Sequence, residues 1–189
     1  TGHNLPEVAK GDTDSSVVFT VAVAQAHILE SCRIFITGCI SELVGRCLAS
    51  DIIAHVVALS SSLNAWFGPQ CRQIYQYEHI IAKECPDSGN QAMPSASGVR
   101  LIHVVEQLFD MVANKLEDSA GRAPLRQEDL KALESIWVSA LGHSRVKISN
   151  RAVSLWGATF GRAGAGPWQY PAGLSAVLGD ISKRTAISL

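Results

Sequence analysis

The 189-residue chain is 47% hydrophobic and 17% charged, which supplies enough apolar material for a buried core and excludes an intrinsically disordered segment. Its 16 basic and 17 acidic residues leave a formal charge of −1, so the overall balance excludes a globally polycationic binder of nucleic acid or membrane, and any basic surface must be local. The most apolar run, Val17 to Ala26, spans ten residues, about half of the roughly 20 needed for a membrane-crossing helix.

The chain begins at Thr1 on a stretch rich in turn formers. It reads as a fragment of a longer protein, with residues 1–15 as a tail or loop and 16–189 as one α-helical segment. Val17 to Val23 is β-branched, which leaves an extended start open. Beyond it Ile28, Cys32, Phe35 and Ile36 recur at helical spacing, and Gly38 is expected to interrupt the run before a shorter segment with Ile40, Leu43, Val44 and Leu48. Ser50 or Asp51 is placed to cap the next helix, whose stripe of Ile52, Val56, Leu59, Leu63 and Trp66/Phe67 ends at Gly68-Pro69. A helix from about Gln70 to Cys85 follows, and the Pro, Gly, Asp and Ser content near 85–97 marks an exposed loop.

Val99 to Leu116 carries an apolar stripe broad enough to pack on more than one neighbour. Leu130, Leu133, Trp137 and Leu141 form the face of another helix. The break Gly142-His143-Ser144 then leads to a partner helix carrying Val146, Val153, Trp156 and Phe160, and Pro171 opens the last helix, with Leu174, Val177, Leu178 and Ile181. The fold class that follows is all-α, built of paired antiparallel helices. The pattern leaves a compact bundle and a HEAT-like α-solenoid both open, because no fixed repeat period is visible.

Motifs that carry chemistry are sparse. Five cysteines at 32, 39, 47, 71 and 85 include no CxxC pair; they read as reduced core residues, which points to an intracellular compartment. The six histidines show no HxxxH or HExxH spacing for a metal and read as surface or half-buried helix residues. The glycines at 157, 161, 164 and 166 lack the lysine of a P-loop, and they follow a helix where a dinucleotide fingerprint follows a strand. They read as a helix stop in which a left-handed glycine pairs the last carbonyls. The stretch Gly142-His143-Ser144-Arg145 lacks the closing glycine of a nucleophile elbow, so Ser144 is expected to cap the next helix. Arg145-Val146-Lys147-Ile148 is a degenerate form of the RVxF phosphatase-docking peptide, but it opens a helix in which Val146 is expected to face the core. Arg145, Lys147 and Arg151, with Arg162 beyond, form the one local concentration of positive charge, and Arg145, Lys147 and Arg151 are the candidates for phosphate-backbone contact. No catalytic residue, metal ligand or cofactor-binding residue is assigned, and no cofactor is expected.

One stretch resembles a known family. His143, Ile148, Asn150, Trp156, Thr159, Phe160 and Gly161, followed after a Gly-rich insert by Tyr170, Pro171 and Leu174, are similar in order to the Rap-interacting factor family of telomere-associated regulators of replication timing. The chain departs from that pattern at Gly157, where asparagine is expected, and in the longer insert with Pro167 and Trp168. The resemblance covers about 50 residues. It implies an N-terminal HEAT-like (armadillo-type) segment of a nuclear, chromosome-bound scaffold without catalysis of its own. Such a scaffold acts in telomere length control, replication timing and DNA repair, and its implied partners are chromosomal proteins and double-stranded DNA, with no membrane and no small-molecule substrate. Two other readings stay open at this stage: a HEAT-like scaffold of a transport or assembly complex, and an all-α enzyme fragment or small-ligand binder whose pocket is lined by the Gly-rich insert, Trp168 and Tyr170.

Overall fold

The computed structural model describes residues 27, 28, 30–68, 71, 75, 76, 100–162 and 167–185. The expected tail over 1–15, the run Val17–Val23, nearly all of the helix from Gln70 to Cys85 and the loop near 85–97 lie outside them. Among the described residues every regular element is helical, so the chain is all-α.

The first helix does not break at Gly38. Residues 30–35 are helical, Ile36–Ile40 widen into a π turn, and α1 (Ser41–Arg46) continues from it, with the Ser41 N–H bonded to the Ile36 carbonyl. A π turn absorbs one extra residue without losing the backbone ladder. That shift keeps Ile36, Ile40 and Val44 all buried on one side.

Two further helices run through a single irregular residue each. Leu59 separates α2 (Ile52–Ala58) from α3 (Ser60–Phe67), yet its N–H bonds to the His55 carbonyl at 2.9 Å and its own carbonyl accepts from Leu63 at 2.9 Å. Leu133 divides α5 (Gln127–Ala132) from α6 (Glu134–Leu141) in the same way, with bonds of 3.0 Å on both sides. The i to i−4 ladder persists, so 52–67 and 127–141 are two continuous, slightly bent helices, as their apolar stripes require. Asp51 stands at the N-cap of α2 but makes no side-chain capping bond there, and neither does Ser50, whose hydroxyl bonds the Asp51 carboxylate.

At the centre lies α4 (Leu101–Arg122), 22 residues long, or about 33 Å. Its buried residues spread over two faces, from Leu101 and Val105 to Phe109, Val112 and Leu116. One side packs on the π turn, α1 and α2, and the other on α7 (Val146–Ala158). The expectation of a helix with several neighbours holds. α6 plays the matching role, packing on α3, α7 and α8 (Ala172–Thr185).

These contacts sort the helices into two rows. In one row α1, α4 and α7 lie side by side; in the other α3, α6 and α8 do. The pairs α1 and α4, α4 and α7, and α6 and α8 each run in the same direction. Gly45 faces Met111 while the Cys47 carbonyl accepts from Lys115, and Glu106 meets Arg145 and Lys147 while Glu117 meets Arg151. In the second row Gly68 lies against Ser139, Gln127 bonds the backbone of Gln169, and Gly173 lies against Glu134 and Val138. The described helices therefore alternate between rows in chain order, and their apolar stripes meet between them in one core that runs from Ile36 to Leu178.

Candidate functional site

The candidate basic surface begins at the four-residue break 142–145 between α6 and α7. Ser144 is exposed and does not cap α7. The acceptor at this helix entry is His143, whose Nδ1 takes the Arg145 backbone N–H at 3.0 Å. An acceptor Nδ1 requires the hydrogen on Nε2, and that nitrogen is buried near the Trp66 carbonyl outside hydrogen-bonding geometry. Unlike the exposed His27, His55 and His103, His143 is buried and packs edge-on to Tyr75, so the expectation of a surface or half-buried helix residue fails there. Burial, the largest influence, holds its pKa below the ordinary histidine value despite the Glu106 carboxylate nearby.

Val146 is 69% exposed, which corrects its expected place in the core. The stripe that α7 turns inward is Ile148, Ala152, Leu155 and Trp156, at spacings of 4, 3 and 1 along one helical face. Val146 falls on the opposite side. The RVxF-like tetrapeptide opens a helix here and is not extended.

All three candidate cations point back at α4. Glu106, whose side chain is 4% exposed, accepts Arg145 Nη2 and Lys147 Nζ at 3.2 Å each, with His103 Nδ1 at 3.5 Å. Arg151 donates to both Glu117 oxygens at 2.6 and 2.9 Å and to Asn114 at 2.7 Å, with Asp110 at 3.8 Å. Burial raises the Glu106 pKa, but the bonds from Lys147, Arg145 and His103 outweigh it and hold the carboxyl below its ordinary value. The Arg151 bonds lower Glu117 likewise. The three cations are thus brought together, and each is answered by a carboxylate. Arg145 and Lys147 remain 48% and 60% exposed, whereas Arg151 is only 22% exposed. The first two can reach a partner in solvent while Arg151 is committed to the α4–α7 interface.

The glycine-rich stretch has a packing role. Trp137, Trp156, Phe160, Trp168 and Tyr170 form a chain of ring contacts with centroids 5.2 to 5.9 Å apart, in the edge-on and tilted geometries that aromatic pairs prefer. Gly161 lets the chain leave α7 beneath the Trp156 ring: a Cβ there would sit 2.8 Å from the indole Cδ1. Its N–H bonds the Trp156 carbonyl at 2.7 Å, closing the helix end. The backbone at Gly161 is not left-handed, so close approach and not a positive φ is what calls for glycine. Gly164 and Gly166 lie outside the described residues. Of the residues that carry the family resemblance, Ile148, Trp156, Phe160 and Leu174 are core, and Asn150 and Tyr170 are exposed.

Among the described residues no group of three or more His, Cys, Asp or Glu could hold a metal ion, and no helix is long and apolar enough to cross a membrane. Burial pushes the Cys71 thiol up to about 11, where it stays protonated and weakly nucleophilic at neutral pH. A cleft lies beside Trp168; its described walls carry Arg122 and Arg162 and no His, Asp or Glu, and Tyr170 packs on Trp156. Sequence reasoning passed over Arg122, since nothing local joins it to Arg162. No protein-family model, curated protein or solved structure matches the chain.

Proposed function

We propose that this chain is a scaffold segment of a nuclear, chromosome-associated protein, a HEAT-like α-solenoid similar to the N-terminal region of Rap-interacting factors, without enzymatic activity. The carrying observation is the two-row arrangement: three described helices packed side by side in each row, with the described helices alternating between rows along the chain. Stacked helical pairs bury their apolar faces against their neighbours in this way and present extended surfaces to partners. The aromatic positions of the resemblance, Trp156 and Phe160, serve that stacking.

In this reading the chain binds chromosomal proteins and double-stranded DNA, and Arg145 and Lys147 supply the phosphate contacts because their outer halves reach solvent. Fluorescence anisotropy with a labelled duplex at 50 and 200 mM salt tests it. Affinity should fall steeply with salt, with a log–log slope of roughly −0.9 for each phosphate contacted. Binding that is absent at 50 mM, or indifferent to salt, would remove DNA as a partner of this segment.

A further inference from the structure

Ion pairing accounts for most of the described cations. Arg100, Arg122, Lys131 and Arg162 are left without a carboxylate or hydrogen-bond partner among the described residues. Two of these four, Arg122 and Arg162, line one cleft of about 370 Å³, together with Pro124, Leu125, Thr159 and Trp168. Parallel packing of α4 and α7 explains the meeting. Arg122 is the last residue of α4 and Arg162 lies just beyond the end of α7, so the row brings both C-terminal ends to the same place.

An arginine at a helix C-terminus has an ordinary explanation, since the helix dipole places about half a negative charge there. Two such ends offset roughly one unit of positive charge. Two guanidiniums supply two, and no acidic residue is among the described residues that line the cleft, so a surplus remains. Guanidinium forks match phosphate oxygens two at a time. The surplus is about one unit once both helix ends are counted, and a phosphomonoester, with three strong acceptor oxygens and a charge of about −1.5 to −2 at neutral pH, can engage both forks where a carboxylate has only two oxygens to offer. The cleft lies at the small end of the roughly 300–1,000 Å³ range of ligand sites, and beside the two arginines and Thr159 its described walls are apolar, Pro124, Leu125 and Trp168 among them.

We infer that the Arg122–Arg162 cleft binds a small phosphomonoester whose organic part carries a ring, about the size of a nucleoside monophosphate. The two guanidiniums hold the phosphoryl group, and the indole and proline side holds the ring. This site is separate from Arg145 and Lys147, and it does not depend on the chromosomal reading.

Isothermal titration of the full 189-residue chain with adenosine 5′-monophosphate tests the site, with adenosine and inorganic phosphate as comparison ligands. The nucleotide should bind saturably with a Kd at or below about 1 mM, inorganic phosphate should compete more weakly, and adenosine should not bind measurably. Arg122→Gln and Arg162→Gln should each weaken the nucleotide about tenfold or more, as loss of a charge-assisted fork requires. Arg100→Gln, at an unpaired cation outside the cleft, should leave the affinity unchanged. No saturable binding of nucleotide or phosphate at several times that concentration, or equal affinity in the Gln variants, overturns the inference. So does tighter binding of a phosphoserine peptide or a DNA duplex through the same two arginines, which would assign the pair to a macromolecule.

Discussion

Replacing a single glycine by alanine at two places four residues apart should move stability in opposite directions. At Gly161 a new Cβ would lie 2.8 Å from Trp156 Cδ1, 2.9 Å from its Nε1 and 3.0 Å from the Trp156 carbonyl oxygen. Neither neighbour can yield easily: the indole is wedged between Trp137, Phe160 and Tyr170, and the carbonyl already accepts from Thr159 and Gly161. Forcing a methyl into a filled site of this kind costs about 1–3 kcal/mol. At Gly157 nothing lies within 4 Å of the added carbon, and the residue is helical, so alanine should stabilise by about 0.4–1 kcal/mol through the unfolded state. The two variants should therefore differ by about 1.4–4 kcal/mol, or about 3–16 °C in Tm for a chain of this length. Urea titration followed by tryptophan fluorescence measures the difference, and near-UV circular dichroism reports whether the ring cluster has shifted. A Gly161→Ala variant as stable as wild type would refute the argument that close approach to the indole fixes this glycine.

Other consequences follow from the charged contacts. Glu106→Gln should destabilise by about 1–2 kcal/mol, less than a sum over charged hydrogen bonds because Arg145 and Lys147 can turn to water; a melt showing no change would argue that the buried carboxylate contributes nothing net. Because His143 has its pKa lowered by burial, the unfolded chain takes up its proton first, so stability should be full above about 6.5 and decline as the pH falls through and below it. His143→Asn should flatten that limb. Glu106 and Glu117 are also lowered, but for a carboxylate the contribution persists above about 4.3 and is lost only at lower pH. The two limbs should separate in a stability–pH profile. Lys147→Ala should reduce the salt slope of duplex binding by about one and leave the melt nearly unchanged, whereas Arg151→Ala should lower the melting temperature and leave the slope in place; the reverse pattern would exchange their roles. In thiol titration of the folded protein, exposed Cys39 should react first among the described cysteines and buried Cys71 only on unfolding.

The helical stripes were legible in the sequence because burial demands them: Ile52, Val56, Leu63 and Phe67 repeat at the spacing of one face, and all four are buried. The Gly38 prediction failed for a local reason. Glycine lowers helix propensity, but an i to i−5 turn let the ladder continue, and only the later position of Val44 on the buried side records the extra residue. Val146 misled because a stripe of 146, 153, 156 and 160 is also helical in period. The choice between that stripe and Ile148, Ala152 and Leu155 rests on where α4 and α6 lie.

The basic cluster shows the larger difficulty. Arg145, Lys147 and Arg151 are neighbours in sequence, so their charges add when the chain is read as a line, while their partners Glu106 and Glu117 lie 34 to 41 residues earlier. A signal was nevertheless present. Glu106, Asp110, Asn114 and Glu117 are spaced by 4, 4 and 3, which places every one of them on a single face of α4. An acidic face on one helix and a basic face on a later one are a mark of neighbours, and neighbours in a row are what the packing of α4 on α7 makes of them. Charge complementarity between non-adjacent helices is thus a test of architecture before it is a test of ligand. A cation becomes a candidate for binding only once its own protein has been searched for the carboxylate that already holds it, and by that criterion the cleft between Arg122 and Arg162 outranks the cluster that sequence counting put first.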